Sequence, residues 1–212
     1  MKPKREKYLK NLLYAFILNN FIFLSIIMIS FSVSQYNYKS ISNENNIILQ
    51  YIEDVESLSE TFNCNSDILI EASDKLDKVG VKLNILETRF GKKDARVLQQ
   101  KKLYSELEVK HFNIIKKLKE TCEEDFITIL FFYTNLKPND KKSENVGFIL
   151  TTFKNKAPEK IMVYALDYNL DSSAIDSLKE TYHINEAPST LINEQITLDV
   201  KNIEDLENIL TE

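Results

Sequence analysis

Two cysteines, Cys64 and Cys122, have the greatest capacity for chemistry in this sequence. A thiolate can bind a metal, attack a substrate or exchange with a disulfide. The two cysteines are too far apart in sequence to form a short zinc motif or a reactive pair at one helix N-terminus. The two histidines, His111 and His183, are also distant from each other, so no metal site is predicted.

No other set of residues indicates catalysis or a cofactor. Ser143 precedes a helical pattern and is expected to be its N-cap, since neither Lys141 nor Lys142 is placed to act as a base. The chain has no glycine-rich loop that could hold a nucleotide phosphate. Its net charge is −5 and residues 1–10 contribute +4, so the remainder carries −9, which argues against nucleic acid as a partner.

The N-terminal region is typical of a membrane anchor. Residues 11–33 are mostly apolar and uncharged, and a helix of about 20 residues spans a bilayer. The basic residues in 1–10 place that tail in the cytoplasm and the rest of the chain outside the cell membrane. The alternative is a cleaved signal peptide, but the apolar run is long and residues 30–32 form a poor cleavage site. We expect an uncleaved, single-pass anchor in the lipid bilayer.

Two adjacent asparagines, Asn19 and Asn20, lie in the middle of this apolar run. Asparagine side chains in a membrane helix can hydrogen-bond to a partner helix. The sequence is therefore compatible with an oligomer formed through the anchor, although an isolated helix also tolerates them.

The next region has the periodicity of helices that pack side by side. A polar joint at 34–40 precedes this region. Within the region, Gly91 indicates the end of one helix and Asp94 the N-cap of the next. We therefore predict an antiparallel, coiled-coil-like hairpin of helices at 66–90 and 93–121. The apolar spacing of three and four residues runs through Ile48, Tyr51, Val55, Leu58, Phe62, then Leu69, Ala72, Leu76, Val79, Leu83, Leu86, Phe90, and the second arm carries Val97, Tyr104, Leu107, His111, Ile114 and Leu118.

The hairpin brings the two cysteines together. Cys64 lies 27 residues before the tip at Gly91 and Cys122 lies 31 residues after it, so both fall at the base of the hairpin. In an oxidising compartment this geometry predicts a Cys64–Cys122 disulfide. The alternative is two unrelated buried thiols.

The C-terminal region has the pattern of an α/β domain. Its apolar runs predict strands at 126–134, 161–166, 190–192 and 196–198, and helices at 143–154 and 172–182, with a closing helix marked by Ile203, Leu206 and Leu210. The order of elements is βαβαββα. It combines a parallel strand pair joined by a helix with an antiparallel hairpin around Asn193 and Glu194.

This order, together with the APST segment at 187–190, resembles the thioredoxin-like superfamily over residues 123–212. The resemblance implies a cis Ala187–Pro188 bond that faces the N-terminus of the first helix. The family carries a CxxC motif at that helix start, where this chain has Asp140 and Ser143 as the degenerate positions. No cysteine follows Cys122, so thiol–disulfide exchange within this domain is excluded.

The resemblance also implies a surface for binding. In redox-active relatives, the backbone before the cis-proline pairs with an extended peptide, and such pairing needs no thiol. Ala187 and Pro188 are therefore expected to form a peptide-binding loop.

Together these features predict an α/β thioredoxin-like domain preceded by a transmembrane helix and a helical hairpin. The expected segments are a cytoplasmic tail (1–10), a transmembrane helix (11–33), the hairpin region (41–122) and the thioredoxin-like domain (123–212). We expect a redox-inactive module that binds or scaffolds a peptide or protein. One alternative is an oxidoreductase using Cys64 and Cys122, or a partner's thiols. A third reading makes the hairpin an interaction arm.

Overall fold

The computed structural model describes residues 2–60, 64, 66–122 and 124–207. These described residues form six helices and four strands. The helices are α1 (Lys2–Glu60), α2 (Ser66–Phe90), α3 (Ala95–Cys122), α4 (Asp140–Lys154), α5 (Ser173–Thr181) and α6 (Glu204–Glu207). The strands are β1 (Ile127–Tyr133), β2 (Ile161–Asp167), β3 (Ser189–Ile192) and β4 (Ile196–Leu198).

The chain divides into two compact units, one ending at Asn46 and the other beginning at Ile47. Among the described residues of the first unit, one apolar stretch, Lys7–Tyr36, is long enough to cross a membrane, and its large apolar side chains are exposed. The polar joint expected at 34–40 is instead helical, because polar residues without proline or glycine do not end a helix. An N-terminal apolar helix of this length is compatible with a single-pass membrane protein.

The second unit is built on a mixed sheet with the strand order β2-β1-β3-β4. β1 and β2 are parallel, with Ile129 opposite Val163, whereas β3 runs antiparallel to both β1 and β4. Asn193 and Glu194 form the turn between β3 and β4 with φ values of 49° and 59°, as a tight primed hairpin turn requires. The expected parallel pair and antiparallel hairpin are therefore present.

Helices cover both faces of this sheet, and each face has its own core. On one face, α3 and α5 pack on the sheet together with α2 and the end of α1, and the largest buried side chains there include Leu107, Phe112, Ile115, Leu118, Phe132 and Tyr164. On the other face, α4 and α6 pack over Ile129, Phe131, Val146, Leu150, Phe153, Ile192 and Leu206. The helical hairpin thus packs against the sheet as part of the same unit.

The hairpin has the predicted tip. Gly91 follows α2 with a φ of 91°, a conformation that glycine adopts without strain. Asp94 caps α3, because its Oδ1 accepts a hydrogen bond of 2.9 Å from the backbone N–H of Arg96. At Gly80 a β-carbon would lie 2.7 Å from the Tyr104 hydroxyl, so this glycine permits the close approach of α2 and α3.

The predicted apolar stripes face the interior. Their buried members are Ile48, Val55, Leu76, Val79, Leu83, Val97, Leu107, His111, Ile114 and Leu118. Phe62 and Leu210 lie outside the described residues, and the same holds for the side chains of Leu58 and Leu69. Tyr51, Ala72, Leu86, Phe90 and Tyr104 are half-buried, so the periodicity identified most of the packed face of the hairpin.

Candidate functional site

The site begins where β1 leads into α4. α4 starts at Asp140 with Asn139 in the N-cap position, so the expectation that Ser143 is the N-cap was wrong. The chain turns into a helix directly after Pro138, and an acidic residue in the first turn is favoured by the helix dipole. Ser143 lies instead inside the first turns of α4, buried, and its Oγ accepts a hydrogen bond of 3.0 Å from the backbone N–H of Thr134.

The loop before β3 lies against this helix start. The Ala187–Pro188 bond is cis, as the sequence analysis expected. Asn139 Nδ2 donates a hydrogen bond of 2.9 Å to the backbone oxygen of Ala187, which is itself buried. The structure thus brings the two predicted site segments together through Asn139. Sequence reasoning overlooked this residue, although an asparagine between a proline and a helical pattern is a typical N-cap signal.

A buried charge network lies at the carboxyl end of β2. The ammonium of Lys101 on α3 is 2.8 Å from Asp167 Oδ2 and 2.8 Å from Glu87 Oε1. Asn135, which follows β1, donates a hydrogen bond of 3.1 Å to the same Asp167 oxygen. Burial opposes the charge of Lys101, but the Tyr133 hydroxyl and the two carboxylates outweigh it and raise the pKa of the lysine. Lys101 is therefore charged throughout the physiological range and fixes the hairpin to the end of the sheet.

A cleft of about 760 Å³ opens beside this network. It lies between the tip of the hairpin and the loops that follow β1 and β2. Those loops lead to helices on opposite faces of the sheet, and open α/β sheets commonly bind ligands at such a switch point. Its lining comprises Leu98, Leu136 and Leu170, the charged residues Lys92, Lys93, Lys102, Asp167 and Asp171, and Ala95, Gln99, Asn135 and Asn169.

The chemistry of the cleft combines apolar area with basic groups. Lys92 Nζ donates a hydrogen bond of 2.8 Å to Asn135 Oδ1, and Lys102 lies 2.8 Å from Asp171. Lys93 is exposed and has no ion-pair partner among the described residues. Leu136 is 50% exposed and contributes apolar area to the cleft. This arrangement suits a segment that carries both apolar and acidic side chains.

Ser73, His111 and Tyr164 form a hydrogen-bonded series that resembles catalytic chemistry in its residue types. His111 Nε2 lies 3.1 Å from Ser73 Oγ, and its Nδ1 lies 2.9 Å from Tyr164 Oη. Ser73 Oγ donates to the sulfur of Met162 at 3.3 Å, so it accepts from Nε2–H, and Tyr164 donates to Nδ1. All of these side chains are buried between the hairpin and the sheet. Because a substrate has no access to these buried side chains, the role of the series is to connect α2, α3 and β2.

Glu108 is a buried acidic side chain on α3. Its Oε1 accepts a hydrogen bond of 2.8 Å from the backbone N–H of Ala165, and its Oε2 has no hydrogen-bond partner in the part of the chain that the structure describes. Burial raises the pKa of Glu108 well above its ordinary value. Burial thus favours the neutral form of this carboxyl group, since an ionised oxygen without a partner would be costly there.

Both cysteines of the chain are used in one disulfide between Cys64 and Cys122, whose Cα atoms are 5.6 Å apart. This is the pairing that the hairpin geometry predicted, and it leaves no thiol at the start of α4. In the part of the chain that the structure describes, no group of three or more His, Cys, Asp and Glu side chains could hold a metal ion.

Comparisons with known proteins add no relative to this description. No family model matches the sequence, no curated protein is significantly similar to it, and no solved structure matches its fold at a significant level. The function is therefore argued from the geometry of the site.

Proposed function

We propose that this chain is a membrane-anchored, extracytoplasmic protein whose C-terminal part is a thioredoxin-like, redox-inactive binding module. The order of elements supports the assignment, as does a mixed sheet in which only β3 is reversed. The contact between the cis Ala187–Pro188 loop and the start of α4 supports it as well.

The single observation that carries the proposal is the use of the α4 N-terminus. In a redox enzyme this position presents a thiolate, which the helix dipole stabilises. Here Asn139 reaches across to Ala187, and Ser143 points inward to the backbone of β1. The polar groups that could face a substrate are thus used in hydrogen bonds within the protein. The module would therefore bind a partner through the shape and chemistry of its surface and not through a reactive group.

The cleft at the hairpin tip is the binding surface that we propose. The carbonyl of Ala187 already accepts a hydrogen bond from Asn139, so it is less suited to pair with an incoming strand than the sequence alone suggested. The cleft offers exposed apolar area at Leu136 and positive charge at Lys93. A peptide segment with apolar and acidic side chains would satisfy both.

The N-terminal apolar helix supports the proposed extracytoplasmic location. The apolar helix Lys7–Tyr36 follows a tail with an excess of basic residues, and such tails remain in the cytoplasm. The second unit would then lie outside, where a disulfide persists.

Photocrosslinking from the cleft tests the binding role. A benzophenone amino acid at position 136 in the full chain, irradiated in native membranes, is expected to give one dominant adduct. The substitution Leu98→Asp in the cleft should abolish that adduct. The control is the same probe at Phe148, which is 74% exposed but does not line the cleft, and it should not give the adduct. An adduct that survives Leu98→Asp, or none at all, would refute binding in the cleft.

Redox inactivity has its own test. A disulfide that closes a loop of this length, between cysteines 58 positions apart, stabilises the fold and is expected to resist millimolar glutathione. Thiol labelling of the native full chain after such treatment should detect no free cysteine. Ready reduction under these conditions would favour the oxidoreductase alternative, with Cys64 and Cys122 as a shuttle pair.

A further inference from the structure

The asparagine pair in the apolar helix is not symmetrical in its hydrogen bonding. Asn20 Nδ2 donates a hydrogen bond of 2.8 Å to the backbone oxygen of Phe16, one turn earlier in the same helix. Ser25 and Ser32 bond to their own helix in the same way, at 2.8 Å and 2.9 Å. Among the described residues the side chain of Asn19 has no hydrogen-bond partner, and Asn19 is exposed.

In water an exposed amide is satisfied by solvent, but in the hydrocarbon core of a bilayer it is not. An amide without a partner there is costly, and this cost favours association with another helix that can supply a donor and an acceptor. Asn20 reduces its own cost by bonding to Phe16, whereas Asn19 needs a partner from outside its helix.

The face that carries Asn19 has the spacing of a packing seam. The residues at intervals of three and four on this face are Leu12, Ala15, Asn19, Ile22, Ile26, Ile29 and Val33. After Asn19 every member is β-branched, and such side chains lose little rotamer freedom when they pack. The equivalent seam through Asn20 would instead contain Phe16, Phe23 and two serines, Ser30 and Ser34.

We propose that the membrane helix forms a parallel dimer with a second copy of this chain, with Asn19 facing Asn19. These observations favour a second copy of this chain as the partner helix. All copies have the same orientation in the membrane, and the amide of Asn19 carries both a hydrogen-bond donor and an acceptor. Across a two-fold axis, each Nδ2 donates to the partner's Oδ1, so both side chains are satisfied. A single asparagine on a seam also fixes the register of the two helices.

This inference rests on the membrane anchoring proposed above, and the experiment separates the two. The full chain, labelled with donor or acceptor dyes at its N-terminus, is reconstituted into phosphatidylcholine vesicles, and energy transfer is measured against the protein-to-lipid ratio. Carbonate extraction of the same vesicles reports whether the chain is inserted. Extraction into the supernatant would contradict the anchor itself.

For the inserted protein, we expect energy transfer above the random-proximity level. Asn19→Leu should lower the association constant about fivefold, in line with the modest strength of interhelical hydrogen bonds. Asn20→Leu is the matched control, one residue away on a different face, and should leave association unchanged. Both substitutions increase hydrophobicity, so neither should impair insertion.

The proposal would be overturned by random-level transfer for the wild type, by an unchanged Asn19→Leu variant, or by equal losses in both variants. Capture of a different membrane protein through Asn19 without self-association would overturn it as well.

Discussion

The two faces of the sheet in the second unit are filled with different kinds of side chain. Under α4 and α6 the buried side chains are mostly apolar, such as Ile129, Leu150, Phe153 and Leu206, and the buried polar one on α4 is the small hydroxyl of Ser143. Under the hairpin, apolar residues surround buried polar ones that bond across elements, among them Ser73, Lys101, Glu108 and His111. The hairpin face therefore combines a hydrophobic core with specific polar connections.

This difference indicates different tasks for the two faces. Apolar packing is stabilising but tolerates small shifts, whereas a polar group that is buried must find its partner at one position. The Lys101 and His111 contacts fix how the hairpin sits on the sheet, and the hairpin tip in turn forms one wall of the cleft. Substitutions on the two faces should therefore differ in size and kind.

The largest effect is expected on the apolar face. Phe153→Ala removes a fully buried ring and should lower the free energy of unfolding by about 4 kcal/mol. Urea unfolding of the full chain in mild detergent, followed by near-ultraviolet circular dichroism, measures this change. Phe148→Ala on the same helix is the control, because Phe148 is exposed and its loss should change the urea midpoint little. Equal effects of the two substitutions would contradict the described core.

Lys101→Met comes next. It leaves the carboxylates of Asp167 and Glu87 buried without their cation, which should lower the free energy of unfolding by about 3 kcal/mol. Lys102→Met is the control, since Lys102 is half-exposed and pairs with a solvent-exposed Asp171. The same urea titration should show no resolvable change for that variant. If Lys101→Met left the free energy of unfolding unchanged, the network would not hold the hairpin to the sheet.

Tyr164→Phe tests the hydrogen-bonded series of Ser73, His111 and Tyr164, and its expected effect on stability is smaller than that of Lys101→Met. The variant keeps the ring but removes the hydroxyl that donates to His111, leaving a buried nitrogen unsatisfied at a cost of about 1–2 kcal/mol. Tyr168→Phe removes a hydroxyl that bonds to the backbone of Asn185 at the surface, and it should cost much less. Similar losses for both tyrosines would argue against the series as a specific connection.

The smallest effect concerns pH. Because burial raises the pKa of Glu108, the folded protein retains a proton that the unfolded chain releases above its ordinary carboxyl pKa of 4.5. The contribution of this group to stability is therefore greatest in acid and decreases as pH rises towards the folded-state pKa. Glu108→Gln mimics the protonated acid, so its urea midpoint should fall less between pH 5 and pH 8 than that of the wild type.

Glu106→Gln, at an exposed position of the same helix, is the control for this comparison and should retain the wild-type pH dependence. A Glu108→Gln variant with that same dependence would show that Glu108 is ionised in the folded protein.

Much of the fold followed from periodicity, and the failures have identifiable causes. The hairpin arms, its tip and the order of elements along the α/β region were predicted because apolar spacing, Gly91 and Asp94 act locally. The α3 stripe, however, was traced from Val97 directly to Tyr104 and then through Leu107 to His111. The structure shows that Lys101 lies in the step between Val97 and Tyr104, and that Glu108, next to Leu107, is buried as well. The signal available in the sequence was the gap of seven residues between Val97 and Tyr104, in a stripe otherwise spaced by three or four residues.

The candidate site was less predictable for a different reason. Lys101 and Asp167 are 66 positions apart and meet because the hairpin docks on the sheet, whereas Asn139 meets the distant Ala187 through the folding of the α/β region itself. Hydropathy patterns indicate which face of an element is buried but not which polar groups meet there. The disulfide could be predicted because a hairpin is a local geometry with a symmetrical base.

The hydrogen bond from Ala165 to Glu108 has a consequence for aggregation. β2 is an outer strand, and an outer strand normally presents unpaired backbone groups to any neighbouring chain. One of the outward donors of β2 is already occupied by a buried carboxyl from α3, so an added strand would first have to expel it. Lateral growth of the sheet is therefore directed to the opposite margin, where Ile196–Leu198 offers only three residues for pairing.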